Sequence, residues 1–143
     1  MTALILEVFR LNGCLLAAGD RLVSKLGLTS ARWQVLGAIA LSPTPEPVAR
    51  LARNMGLNRQ GVQRIVNELA EEEIVAFQEN PHHRRAKLVT LTEKGHKAYQ
   101  AASQLQTPWV NALSDGLDAE SIVAVSHLIE MLRRRLEEAE EAS

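Results

Sequence analysis

From Val48 to Asn67 the chain reads VARLARNMGLNRQGVQRIVN, two short helical patterns joined at Gly56-Leu57-Asn58. On a wheel of roughly 3.6 residues per turn, Val62, Ile65, Val66 and Leu69 share one side of the second pattern, the spacing of a buried stripe. Gln60, Gln63, Arg64 and Asn67 share the opposite side. A stripe of amides and a guanidinium with no carboxylate in it is chemically suited to hydrogen-bonding base edges and phosphates. Two short amphipathic helices around a glycine turn, the second with such a face, form the pattern of a helix-turn-helix.

Bulk properties narrow the function classes. The chain has 143 residues, the length of one domain with a real core. No apolar run approaches bilayer length and the first residues lack the basic start and small-residue cleavage site of a signal peptide, so no membrane association is expected. Cys14 is the single cysteine, which rules out an internal disulfide framework and points to the cytoplasm. Aromatic residues make up 3% of the chain, too few for stacking on single-stranded bases. His82 and His83 are adjacent in a turn, and His96 and His127 have no partner at a ligand spacing. With no phosphate loop, nucleophile elbow or Cys/His grouping either, the chain is expected not to be an enzyme and to need no cofactor or metal.

The formal net charge of −1 hides a strong segregation. Arg50, Arg53, Arg59 and Arg64 fall in a stretch without an acid, as do His82, His83, Arg84, Arg85 and Lys87. Acids dominate from Asp115 to the tail at Glu137, Glu138, Glu140 and Glu141. A phosphate backbone responds to the local field, which here is positive where the helix-turn-helix lies.

Along the chain, residues 2–26 carry more apolar side chains than one helix face needs. Thr29 caps a second helix, with Leu28 placed to pack on Trp33 as a hydrophobic staple, and Ser42-Pro43-Thr44-Pro45-Glu46-Pro47 breaks it. Pro47 suits the first turn of a third helix, which Gly56 stops. Leu57 and Asn58 repeat the staple and cap, and Glu71 to Glu73 close the next helix. Ile74–Gln78 and Lys87–Leu91 read as β-strands around the turn Asn80-Pro81-His82-His83-Arg84-Arg85, a β-hairpin wing. Thr92 caps a long helix expected to kink at Pro108, and Asp118 caps the last, with Leu117 placed against Ile122. In that last helix Arg133, Arg134 and Arg135 are spaced to pair with Glu137 and Glu138. The fold expected is mainly α: about six helices and a β-hairpin wing, with residues 28–91 as the winged helix-turn-helix of a single domain over 1–143.

The order of these elements resembles the MarR (multiple antibiotic resistance regulator) family of winged-helix transcription factors. The wing signature of that family is Asp, one residue, Arg, five residues, Leu-Thr, two residues and Gly. Arg85, Leu91, Thr92 and Gly95 keep that spacing, while His83 stands where the family has Asp. Ala52, Gly56, Val62 and Ile65 match the helix-turn-helix spacing. The resemblance implies a homodimer with terminal helices, residues 1–26 and 92–143, interlocked. It also implies a repressor of a pseudo-palindromic double-stranded DNA site, released by a small-molecule effector that is anionic or phenolic, or by an oxidant. Surplus apolar surface on the first and last helices argues independently for a subunit interface.

The residues expected to contact DNA are Asn58, Arg59, Gln60, Gln63 and Arg64 on the second helix and Arg84, Arg85 and Lys87 on the wing. Gln63 can pair bidentately with adenine and Arg64 with guanine or a phosphate. Basic side chains at a wing tip suit a narrow minor groove. Arg50 and Arg53 fit flanking phosphate contacts or surface ion pairs. His83 cannot restrain a neighbouring arginine by ion pairing as Asp would, so a looser wing or different contacts are expected. Histidine gains its proton just below neutrality, so DNA affinity at fixed salt is expected to rise between about pH 8 and 6 through His82 and His83. Two other functions stand beside DNA recognition: a winged helix repurposed for protein–protein contact, and a redox sensor through Cys14. One branch of the family senses hydroperoxides with an N-terminal cysteine placed further upstream and served by tyrosines. Here no tyrosine precedes Tyr99. A buried, inert Cys14 thiol is therefore expected, and Trp33, Tyr99 and Trp109 are expected to serve the core rather than an effector pocket.

Overall fold

The local signals sort the chain into six helices and three short strands in a computed structural model describing residues 1–143. It divides into two compact units, Met1–Thr107 and Pro108–Ser143. In the first, α1 (Thr2–Val23) ends in one 3-10 turn over Ser24–Leu26. α2 (Ser30–Leu41) starts where Thr29 Oγ1 accepts the Arg32 N–H at 3.2 Å. α1 and α2 are also joined by polar contacts. Asp20 accepts the Ser30 N–H at 2.7 Å, and the Ser30 hydroxyl donates to the Leu16 carbonyl at 2.6 Å.

The proline-rich stretch after α2 does more than break a helix. Glu46–Pro47 forms β1, an edge strand paired antiparallel with β3 (Leu88–Leu91), which in turn pairs with β2 (Val75–Gln78). Proline is tolerated at an edge because no ladder partner needs its missing N–H. Pro47 is accordingly the N-cap of α3 (Val48–Met55), one place before the first-turn position expected. Gly56 closes α3 in the left-handed region, at φ 63°, and Asn58 opens α4 (Arg59–Glu71).

One core holds these elements. Leu36, Leu51, Val62, Val66, Leu69 and Val89 are almost wholly buried, joining α2, α3, α4 and the sheet. Trp33 and Tyr99 pack partly buried against it, as their spacing predicts. Burying a side chain of this size contributes on the order of 1.5–3 kcal/mol, so the apolar stripe of α4 fixes which face stays outside.

β3 is followed by a tight junction. Thr92 donates its hydroxyl proton to the Glu73 carbonyl at 2.6 Å and accepts the Gly95 N–H at 3.1 Å, while its own N–H bonds Ile74 O at 3.1 Å. These bonds hold the turn in which Glu73 takes the left-handed conformation, at φ 59°. They also start α5 (Glu93–Ser114), which runs past Pro108 without interruption.

In the second unit α6 (Ala119–Glu141) is capped by Asp118, which accepts the Ser121 N–H at 2.9 Å and its hydroxyl at 2.8 Å. The side-chain and then the backbone hydrogen bond of Ser121 lower the Asp118 pKa below the ordinary aspartate value. A depressed carboxyl stabilises the fold above its unfolded pKa and loses that contribution as pH falls through the folded one. NMR titration of Asp118 in wild type and Ser121→Ala is expected to show the midpoint move up towards the ordinary value in the variant. Arg133 pairs forward with Glu137 at 2.6 Å, but Arg134 pairs back to Glu130 at 2.7 Å rather than to Glu138.

Two expectations need correction. Cys14 is exposed, not buried, because α1 buries only Gly19 and Val23 and nothing in the chain covers its earlier turns. The segment Thr2–Leu26 is also long and apolar enough to cross a bilayer, contrary to the count of uninterrupted apolar runs. Isolated charges such as Glu7 and Arg10 break the run without lowering the helix average enough to matter. Only 6% of that stretch is buried. Ile5, Leu6, Phe9 and Leu11 on α1 are exposed, as are Val123, Val125 and Met131 on α6.

Candidate nucleic-acid interface

α4 presents its polar side as the sequence spacing requires. With Val62, Val66 and Leu69 turned into the core, Arg59, Gln60 and Arg64 are exposed and Gln63 is half-buried. Asn58 has a narrower role than a free amide. Its Oδ1 caps α4, accepting the N–H groups of Gln60 at 2.8 Å and Gly61 at 3.2 Å, so only its NH2 remains to donate outward. Gln63 donates from Nε2 to Asn67 Oδ1 at 2.9 Å. That bond, along one helix face, restricts the rotamers of Gln63 and leaves its oxygen and its second amide hydrogen to pair elsewhere. Asn67 thus belongs to the surface, although its sequence position alone does not reveal that it orients Gln63.

The wing turn is organised by Asn80. Its Nδ2 donates to the Ala86 carbonyl at 2.9 Å, its Oδ1 accepts the His82 N–H at 3.0 Å and its carbonyl accepts the His83 N–H at 3.2 Å. A further bond closes Ala86 N–H on the His83 carbonyl at 3.2 Å. Backbone and amide contacts therefore shape a turn in which His83 replaces the wing Asp of the resemblance. His82, His83, Arg84, Arg85 and Lys87 are all exposed on it.

Helix and wing converge. A concavity of about 260 Å³ is lined by Arg59 and Gln63 from α4, Arg85 and Lys87 from the wing, Phe77 of β2 and the start of α3. No carboxylate lines it. A second groove runs along α4 past Arg59, Gln60, Gln63, Arg64 and Asn67 to Glu68 and Glu71. Arg59, Arg64, Arg84, Arg85 and Lys87 are exposed and form no ion pair. Arg50 is exposed beside this surface, on α3. Six of the eight sequence-derived residues thus border one or other groove, and Asn58 and Arg84 stand beside them. No grouping of three metal-ligating side chains occurs anywhere.

A winged helix-turn-helix whose helix and wing meet in a cationic concavity without a carboxylate is the arrangement of a DNA-binding regulator, and sequence comparison agrees. The model of the MarR family matches residues 26–86. An uncharacterized protein of Mycobacterium tuberculosis is 36% identical over 121 residues, covering 85% of this chain and 83% of its own. The transcriptional activatory protein BadR of Rhodopseudomonas palustris is 30% identical over 135 residues, covering 90% of this chain and 75% of its own. Among solved structures, CouR of Rhodococcus jostii bound to p-coumaroyl-CoA superposes with a TM-score of 0.78 at 22% identity, over 87% of both chains. CouR has also been solved on a 23-mer DNA duplex, with a TM-score of 0.77 at 20% identity over 89% of both chains. The protein belongs to the MarR family of transcription regulators.

Proposed function

We propose that this protein is a sequence-specific double-stranded DNA-binding repressor, acting in the cytoplasm as a homodimer on a pseudo-palindromic operator. The observation that carries this reading is the concavity in which Arg59, Gln63, Arg85 and Lys87 meet without a carboxylate. Gln63 and Arg64 read bases from the major groove, Arg59 and Gln60 fix the helix on the backbone, and Arg84, Arg85 and Lys87 hold the adjacent groove and its phosphates. Asn58 donates its free amide to a phosphate next to the helix start.

The exposed apolar side chains of α1 and α6 support the homodimer. Surface of that extent on two long helices is unfavourable in water, and a second copy is the cover that two-fold symmetry supplies. Two reading heads then set half-sites about 10 bp apart. An anionic or phenolic small molecule, or an oxidant, would relieve repression by changing the spacing of the heads; CouR, of the same fold, is a relative that binds an organic ligand of this kind, p-coumaroyl-CoA.

Selection of bound duplexes from a random pool tests this directly. The enriched sequences should contain an inverted repeat with half-sites about one turn apart. Gln63→Ala should lose on the order of 1–3 kcal/mol on that repeat and little on random DNA. Enrichment of no motif would contradict sequence-specific reading, and equal losses on both DNAs would remove Gln63 from base recognition.

A further inference from the structure

The C-terminal half of α4 poses an electrostatic problem for any helix laid against phosphates. Four acids, Glu68, Glu71, Glu72 and Glu73, follow its cationic stripe, and Glu68 and Glu71 line the same groove as Arg59 and Arg64. One cation from another element meets two of them. The Arg32 guanidinium on α2 lies 2.6 Å from a Glu72 oxygen and 3.7 Å from a Glu68 oxygen. Its side chain is only 18% exposed, whereas the two carboxylates are each 47% exposed. Lys94, at the start of α5, donates to the Glu72 carbonyl at 2.8 Å, adding positive charge at the same helix end.

We infer that Arg32 is a positioning residue for DNA binding, offsetting part of the charge of Glu68 and Glu72 so that the acidic end of α4 can approach a phosphate backbone. The inference rests on the proposed DNA-binding function. A planar, permanently charged guanidinium suits the task, because it can serve two carboxylates at once and never loses its proton. Partial burial shields the cluster from salt more than the exposed Lys97–Glu93 pair of α5, whose side chains are 75% and 86% exposed. Without Arg32, Glu68 in the groove and Glu72 at the helix end would lose their ion-pair partner, and their repulsion of phosphates would act on every DNA sequence alike. A clamp that merely holds α4 in place would give a different result, since restoring neutrality by another route would not repair it.

The test uses the full chain and a mixed-sequence duplex of about 30 bp at about 50 mM salt, where backbone attraction dominates. Arg32→Gln is expected to raise Kd about tenfold, and Arg32→Gln combined with Glu68→Gln and Glu72→Gln to return it to within about threefold of wild type. Glu68→Gln with Glu72→Gln on the wild-type Arg32 background is expected to bind about threefold or more tighter, which keeps the inference testable if Arg32→Gln alone does not fold. Unchanged binding by Arg32→Gln, a triple variant as weak as Arg32→Gln, or no tightening in the Glu68→Gln/Glu72→Gln protein would each overturn the role of Arg32 while leaving DNA binding in place. Failure of the wild-type protein to bind the duplex would overturn the DNA-binding reading and this inference with it.

Discussion

Replacing Arg64 and Arg85 together with glutamate is expected to weaken duplex binding by about a thousandfold without unfolding the protein. The magnitude follows from counting contacts. Two side chains on each of two protomers give four contacts per complex, each worth about 1 kcal/mol at least, or roughly 4 kcal/mol in all. Reversal exceeds simple loss, because each new carboxylate also repels phosphate. Stability should hardly change, since both side chains are exposed and neither forms an ion pair in the folded chain. Substitutions at such exposed positions usually stay within about 0.5 kcal/mol. Thermal unfolding and fluorescence anisotropy on the same samples separate the two quantities. A protein that used its winged helix for protein–protein contact would show no such loss of DNA affinity.

The second large effect concerns stability. A methyl group on Gly95 would overlap the Ile74 carbonyl oxygen and sit 3.1 Å from its carbon, both backbone atoms that cannot swing away. The Thr92 bonds to Glu73 and Gly95 fix that same junction from the other side, so neither strand nor helix can yield alone. Gly95→Ala is therefore expected to cost about 3 kcal/mol or more, at the severe end of overpacking. For a chain of this size that corresponds to a fall in Tm of roughly 10 °C, measurable by calorimetry. A variant that melts within a degree or two of wild type would show that the junction is softer than this overlap implies. The same geometry explains the Leu-Thr, two residues, Gly portion of the wing signature: it joins the wing to α5.

Features written in adjacent residues are legible from the amino-acid order alone. Thr29, Asn58 and Asp118 cap the helices that their spacing predicts, and Gly56 closes α3 with positive φ. Each device works within four residues, so its spacing is visible in one dimension. The exposed stripe of α4 is legible for the same reason, being the complement of a buried stripe. What escapes is non-local. Glu46–Pro47 becomes a strand only because β3 lies alongside it, more than forty residues later in the chain. Arg32 meets Glu72 across 40 positions, and nothing in either local pattern announces the pair. Asn80 reads as an ordinary turn residue, yet its bonds to Ala86 and His82 bridge the whole wing loop. Exposure of Cys14 depends on what covers α1, which an isolated apolar pattern cannot reveal.

Salt dependence of wild-type binding to a short duplex probes the cationic reading surface most directly. Arg59, Arg84, Arg85 and Lys87 on each protomer of a dimer would make about eight phosphate contacts, so log K should fall against log salt with a slope near −7. Affinity should then drop about ten-thousandfold between roughly 50 and 200 mM salt. A slope near zero, or no binding at the lower salt, would contradict a protein built to hold a double helix between its fourth helix and its wing.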